Sequence, residues 1–238
     1  MISYERHQAI LKYLEENKYA TIKELSKVVW VSESSVRRDL RILEQNGYVS
    51  QFYGGVTLTK YANDVVPVRL RDSSNVSIKD EIAKKASKHI FDGATILMDG
   101  SSTVRRIIKY INHFKDLKII TNNQQIFAEC THPHIKLYCT GGLFNSQNNI
   151  FYGSQAENYI NNINADIVFF SSQAISGDGE ISDVSEEETS LRKAMLNRAK
   201  TKIFLCDSSK IGEKKTFTLC NKDDVDVIIC DKEMPWEK

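Results

Sequence analysis

Apolar residues at the start of the chain recur first at helical and then at strand spacing. Ile10, Leu11 and Leu14 stand in a polar background and predict an amphipathic helix over residues 4–17. Thr21-Ile22-Lys23-Glu24 has the form of a capping box, in which the Thr21 hydroxyl satisfies a first-turn amide and Glu24 reaches back. A second, short helix therefore begins there, buries Leu25, Val28 and Val29, and ends near Val29. After Trp30-Val31, Ser32 is placed to cap a third helix with Val36, Leu40 and Leu43 inward and Asn46-Gly47 as its end. Two short helices joined by about three residues make a helix-turn-helix. The runs 49–53 and 56–58, joined by Gly54-Gly55, then predict a hairpin wing.

From Ile78 onward the pattern changes. Apolar runs at 95–98, 118–120, 136–139, 167–170, 202–206 and 225–230 alternate with helical segments, including one that buries Val104, Ile107, Ile108 and Ile111. Strands alternating with helices predict a largely parallel sheet covered on both faces. The expected fold class is α/β: a winged helix-turn-helix over 1–58, a linker over 59–77 containing Pro67, Arg69 and Arg71, and a larger α/β domain over 78–238.

Composition adds little until the chain is divided. The 238 residues carry 32 basic and 31 acidic side chains and are 41% hydrophobic, which excludes the signature of disorder and gives no pI extreme enough to announce a nucleic-acid partner. The first sixty residues hold 9 Lys+Arg against 7 Asp+Glu, so the small positive excess lies at the front. Five cysteines without a C-x-x-C pair fit reduced thiols. No apolar run approaches the ~18 residues of a membrane span, so a cytoplasmic protein without a membrane partner is expected.

With Val36 and Leu40 inward, the third helix leaves Ser34, Ser35, Arg37, Arg38 and Arg41 for solvent. Early residues of a recognition helix enter the major groove, where Arg bonds guanine O6/N7 and Ser bonds bases or phosphates. Together with Thr21 and Ser32 at the helix starts and Tyr53 on the wing, these are the candidate contacts to a double-stranded DNA operator.

In the larger domain the strands lead into Asp99-Gly100-Ser101-Ser102-Thr103, Thr121-Asn122-Asn123, Thr140-Gly141-Gly142, Ser171-Ser172-Gln173 and Asp207-Ser208-Ser209-Lys210. These loops would lie at strand carboxyl ends, where open α/β sheets bind ligands. Residues 99–103 open a helix and suit an anion, with Lys210 and Arg192 as charge partners and Asp99 and Asp207 free to bond sugar hydroxyls. The dinucleotide and P-loop fingerprints are absent, which argues against those ligands and leaves no cofactor expected.

The residues Ser32 to Leu40, then Leu43-Glu44, Gly47 and Gly54-Gly55, resemble the winged helix of the DeoR family of bacterial transcriptional regulators. Residues 99–103, Thr121-Asn122, Gly141-Gly142, Gly153, Asp166, Glu188 to Arg192 and Asp207 to Lys210 look like successive motifs of that family's effector domain, whose fold is similar to ribose-phosphate isomerases. The resemblance spans nearly the whole chain. It implies a repressor of a carbohydrate operon, controlled by a phosphorylated sugar and acting as a homodimer or higher homo-oligomer. Six positions depart from the family pattern: Gln51 replaces an Arg, Ser101-Ser102 replaces Gly-Thr, Ser171 and Ala174 replace glycines, and Arg192 replaces a Lys.

Two other readings compete. A sugar-phosphate isomerase with a DNA-binding appendage would need a general base, for which Asp99, Glu188 or Asp207 is available. A metal sensor would use Cys130, His132, His134 and Cys139, whose spacing matches no standard structural zinc pattern, so no metal is expected.

Overall fold

Helix α1 (Ser3–Asn17) buries Ile10 and Leu14 one turn apart on a single face. Helix α2 (Ile22–Val28) begins in the capping box: the Glu24 amide donates to Thr21 Oγ1 at 3.0 Å, and the Thr21 amide donates to Glu24 Oε2 at 2.8 Å. Helix α3 (Glu33–Gln45) is capped by Ser32 and buries Val36, Leu40 and Leu43. At its end Gly47 turns left-handed at φ +74°, while the Tyr48 amide donates to Leu43 O at 2.9 Å. Glycine suits that turn because it has no Cβ to strain.

These faces close one core with a small sheet. Strands β2 (Val49–Phe52) and β3 (Gly55–Leu58) pair antiparallel, and a two-residue strand, β1 (Tyr19–Ala20), adds to β3 between α1 and α2. Strand β1 was not expected from the sequence. Phe52 pairs with Gly55, so Gly55 is a strand residue and not part of the turn as the sequence pattern suggested.

The computed structural model describes residues 3–52, 55–58, 71–72 and 75–236. Tyr53, Gly54, Pro67 and Arg69 lie outside them. Residues 1–74 and 75–238 form separate compact units, and helix α4 (Val76–Ser87) begins inside the span read as linker.

The second unit is built on six parallel strands, β4 (Thr95–Met98), β5 (Leu117–Thr121), β6 (Ile135–Cys139), β9 (Ala165–Phe170), β12 (Ala199–Leu205) and β14 (Val227–Ile229), in the order β14-β12-β9-β4-β5-β6. Alternate residues feed opposite faces. Ile96, Met98, Phe169 and Leu205 enter one core with α4, whereas Leu97, Val168, Phe170 and Phe204 enter the other with α7 (Ser154–Asn161) and α8 (Glu186–Arg198). Both faces are covered, which is why the strands read as unbroken apolar runs.

Three features depart from the periodicity. The helix expected through Ile111 is α-helical only over α5 (Ser102–Arg105) and continues as a 3₁₀ helix, Arg106–Tyr110. A hairpin of β7 (Leu143–Asn145) and β8 (Ile150–Tyr152) follows β6. A second antiparallel sheet joins β10 (Ala174–Ile175), β11 (Glu180–Asp183) and β13 (Phe217–Asn221). These strands are two to five residues long, and β11 also pairs with a strand distant in sequence, β13. Helix α6 (Gln124–Glu129) follows β5 as expected.

Candidate DNA-reading face and effector site

On α3, Ser34, Arg37, Arg38 and Arg41 are exposed and Ser35 is half-buried. The three arginines carry no ion pair among the described residues. Ser32 Oγ lies 2.9 Å from Ser34 Oγ and 3.0 Å from Ser35 Oγ, so three hydroxyls cluster at the helix start beside three guanidinium groups on the same helix. The Thr21 hydroxyl is committed within its capping box, donating to Glu24 Oε2 at 3.0 Å. Gln51, where the family usually has Arg, is held to α3: its amide and side chain donate to the two oxygens of Glu44 at 2.9 and 2.8 Å.

The inner side of α3 carries a charge that the apolar pattern did not single out. Asp39 is buried and accepts from Arg6 Nε at 2.8 Å and Nη2 at 3.0 Å, with His7 Nε2 at 3.1 Å, tying α3 to α1. Burial pushes the Asp39 carboxyl up, but the hydrogen bonds from Arg6 and His7 outweigh it and hold the group below the usual carboxylate range.

In the second unit the chain leaves β4 toward β5 and returns to lay β9 on the other side of β4. Ligands of open α/β sheets bind outside the carboxyl ends of the strands at such a reversal. Asp99 follows β4 and Ser171 follows β9, and the Ser171 amide donates to Asp99 Oδ2 at 3.2 Å. Gly100 has no room for a side chain, since a Cβ there would lie 2.4 Å from Ile150 Cγ2. Ser101 caps α5, and Ser102 and Thr103 are buried behind it. Thr121 Oγ1 accepts from the Asn123 amide at 3.0 Å, and Asn122 Nδ2 donates to Phe151 O at 3.0 Å. Gly141 and Gly142 turn at φ +67° and +104° as the chain leaves β6. Asp166, grouped with these motifs by resemblance, lies at the amino end of β9 and accepts from the Thr95 amide at 3.0 Å, away from this edge.

Arg192 sits at the centre of the edge, 4% exposed, with three carboxylates around it. Its Nε donates to Asp99 Oδ2 at 2.8 Å, Nη1 to Asp183 Oδ2 at 2.9 Å, and Nη2 to Glu188 Oε2 at 2.7 Å. Desolvation works against its charge, and the three anions more than restore it, raising its pKa. Glu188 holds the third position of α8 after the cap Ser185, yet its carboxylate turns to Arg192 and Asn148.

This arrangement corrects the sequence reading of two residue types. Arg192 is held by carboxylates instead of standing open to an anion. Asp99 is likewise engaged, because both of its oxygens accept hydrogen bonds, from Ser101 N, Ser171 N and Arg192. Asp207 accepts from Ser209 N and Asn75 Nδ2, each at 3.2 Å, and from the Ser209 hydroxyl, all at Oδ1. Only its Oδ2 carries no hydrogen bond among the described residues. Lys210 donates to Ser171 Oγ at 2.8 Å and has no carboxylate partner among the described residues.

Asp183 and Asn148 were missed from the sequence. Asp183 ends a strand whose existence depends on β13, and Asn148 lies in the turn of the β7–β8 hairpin. The only advance signal was the polar run 145–149 between two apolar ones. Among the described residues, no group of three or more His, Cys, Asp or Glu side chains is arranged to hold a metal ion.

A model of the DeoR-like helix-turn-helix domain matches residues 6–61, and a model of the DeoR C terminal sensor domain matches residues 74–232. The chain belongs to the DeoR family. The HTH-type transcriptional regulator GolR of Listeria innocua is 29% identical over 98% of this chain and 92% of its own length. The HTH-type transcriptional repressor CsqR of Escherichia coli K12 is 28% identical over 97% of this chain and 88% of its own. Among solved structures, eIF2B delta from Chaetomium thermophilum shares the fold at TM-score 0.50 and 14% identity, over 88% of this chain and 69% of that one. This DeoR-family member is a DNA-binding transcriptional regulator. No helix among its described residues is long and apolar enough to cross a membrane.

Proposed function

We propose that this regulator represses a carbohydrate operon from the cytoplasm, binding its operator as a homodimer through α3 and responding to a phosphorylated sugar at the β4/β9 edge. The observation that carries the effector reading is the unequal treatment of two cations. Arg192 is neutralised by three carboxylates, whereas Lys210 has none among the described residues and rests on a serine hydroxyl at the mouth of the reversal. An anionic group finds its charge partner in Lys210, beside Ser171 and the 101–103 loop. Among the described residues, Asn122 Oδ1 and Asn148 Oδ1 are buried without a donor; Asn148 opens the segment 148–151, and Asn122 Nδ2 donates to its Phe151 O. Such acceptors are costly to leave unmade and suit sugar hydroxyls.

A thermal-shift screen of phosphorylated sugars tests the reading. A true effector at ~100 times its dissociation constant adds about 2.7 kcal/mol of stability. In Lys210→Ala that stabilisation disappears while the unliganded protein melts as before. Failure of every phosphorylated sugar to stabilise the wild type, or an undiminished response in Lys210→Ala, removes the proposed site.

A further inference from the structure

Trp30 is the most exposed large apolar side chain among the described residues, at 88%, and its backbone stands at φ +54°. Helix α2 ends at the C-cap Val29, and the Val31 amide donates to Ser26 O at 3.2 Å, so Trp30 is the residue that must turn left-handed. Helix α3 ends with the same bonding pattern, and the left-handed residue there is Gly47. Glycine adopts this conformation without penalty, whereas a bulky residue is strained in it. The Trp30 ring offsets none of that strain by packing, because it faces water. The fold alone gives no reason for tryptophan at this position, and strain kept without internal compensation marks functional sites.

Its place in the chain supplies the reason. Trp30 stands two residues before Ser32, the cap of the helix that presents Ser34, Arg37, Arg38 and Arg41. A recognition helix enters the major groove by its first residues, so the turn leading into it runs along the groove's rim beside the sugar–phosphate backbone. We propose that Trp30 is a DNA-contact residue, its ring packed on deoxyribose and its indole N–H donating to a phosphate oxygen. The side chain suits that surface, being broad and apolar with a single donor at its edge. Because the indole is neutral, the contact adds affinity without releasing counterions. The proposal rests on the reading of α3 as the recognition helix.

The chain has two tryptophans, so Trp236→Phe leaves Trp30 as the sole indole. A duplex selected by the full chain from a random-sequence pool should change Trp30 emission in that variant and saturate with binding. Trp30→Gly should weaken binding to the same duplex about tenfold or more, while amide-hydrogen protection of α2 and α3 holds or rises because the turn is relieved. The slope of log affinity against log salt should stay at its wild-type value. Unchanged emission at saturating duplex, or wild-type affinity in Trp30→Gly, overturns the proposal. An emission change that follows protein concentration without DNA also overturns it, placing the ring in a self-association surface. Arg38→Ala separates the two readings: if it loses affinity while Trp30→Gly does not, α3 remains the recognition helix and only the Trp30 contact fails.

Discussion

Two buried charges, one in each unit, show what single residues contribute. Arg192 joins the ends of β4, β11 and α8 through one guanidinium, and removing it would leave three buried carboxylates facing one another. Breaking a buried ion pair from one side costs about 3–5 kcal/mol. Arg192→Ala should therefore destabilise the sensor domain by that amount in urea unfolding; a loss under about 1 kcal/mol would show that the cluster relaxes freely. Asp39 predicts an acid response in the other unit. Its folded pKa lies below its unfolded one, so its contribution is present above the ordinary carboxylate range and is lost as pH falls through the depressed value. Amide protection of α1 should decline below about pH 4 in the wild type, by the usual carboxylate value, and Asp39→Asn should be weakened already at neutral pH with a flatter acid response. Equal acid slopes in the two proteins would contradict the assignment. Neither residue's role was visible in the sequence, because each depends on partners brought from other elements.

Elements were legible where their signals are local. Helices α2 and α3 carry caps, apolar spacing and end signals within about four residues of each other, and the structure places both as read. Thr21→Ala should cost about 1 kcal/mol by leaving the Glu24 amide without its acceptor, with protection lost first in the opening turn of α2. Uniform protection across α2 would show the cap to be dispensable. The six parallel strands were also legible, since burial on both faces makes them long apolar runs. The short strands β1, β7, β8, β10, β11 and β13 were not, having too few residues to establish a period. The 3₁₀ segment 106–110 was hidden for another reason: residues three apart, such as Val104 and Ile107 or Ile108 and Ile111, share a face in either helix type.

For the whole molecule, the proposed function puts a DNA reader and an effector sensor on one chain, which would couple their ligands. If effector and operator are linked by the ~1–3 kcal/mol typical of such systems, each changes the other's affinity by the same factor, about 5- to 150-fold. Measuring operator affinity with and without effector, and effector affinity with and without operator, should give equal ratios. Unequal ratios would mean that one ligand also alters the oligomer. Net charge offered no help at this scale: the value of +1 averages an arginine-bearing helix with a near-neutral sensor.

The sequence by itself determined the order and type of the main elements, the third helix with its exposed arginines, the parallel sheet and the loops at its carboxyl edge. All of these follow from spacing and short-range chemistry. Only the tertiary structure decided which of those residues remain free to act. It enclosed Arg192 in carboxylates, left Lys210 without one among the described residues, buried Asp39 against α1 and set Trp30 in a glycine's conformation facing water. Whether a charged or polar group is available depends on its partners across the fold, and those partners lie 33 to 93 residues away for the Asp39–Arg6 and Arg192–Asp99 pairs.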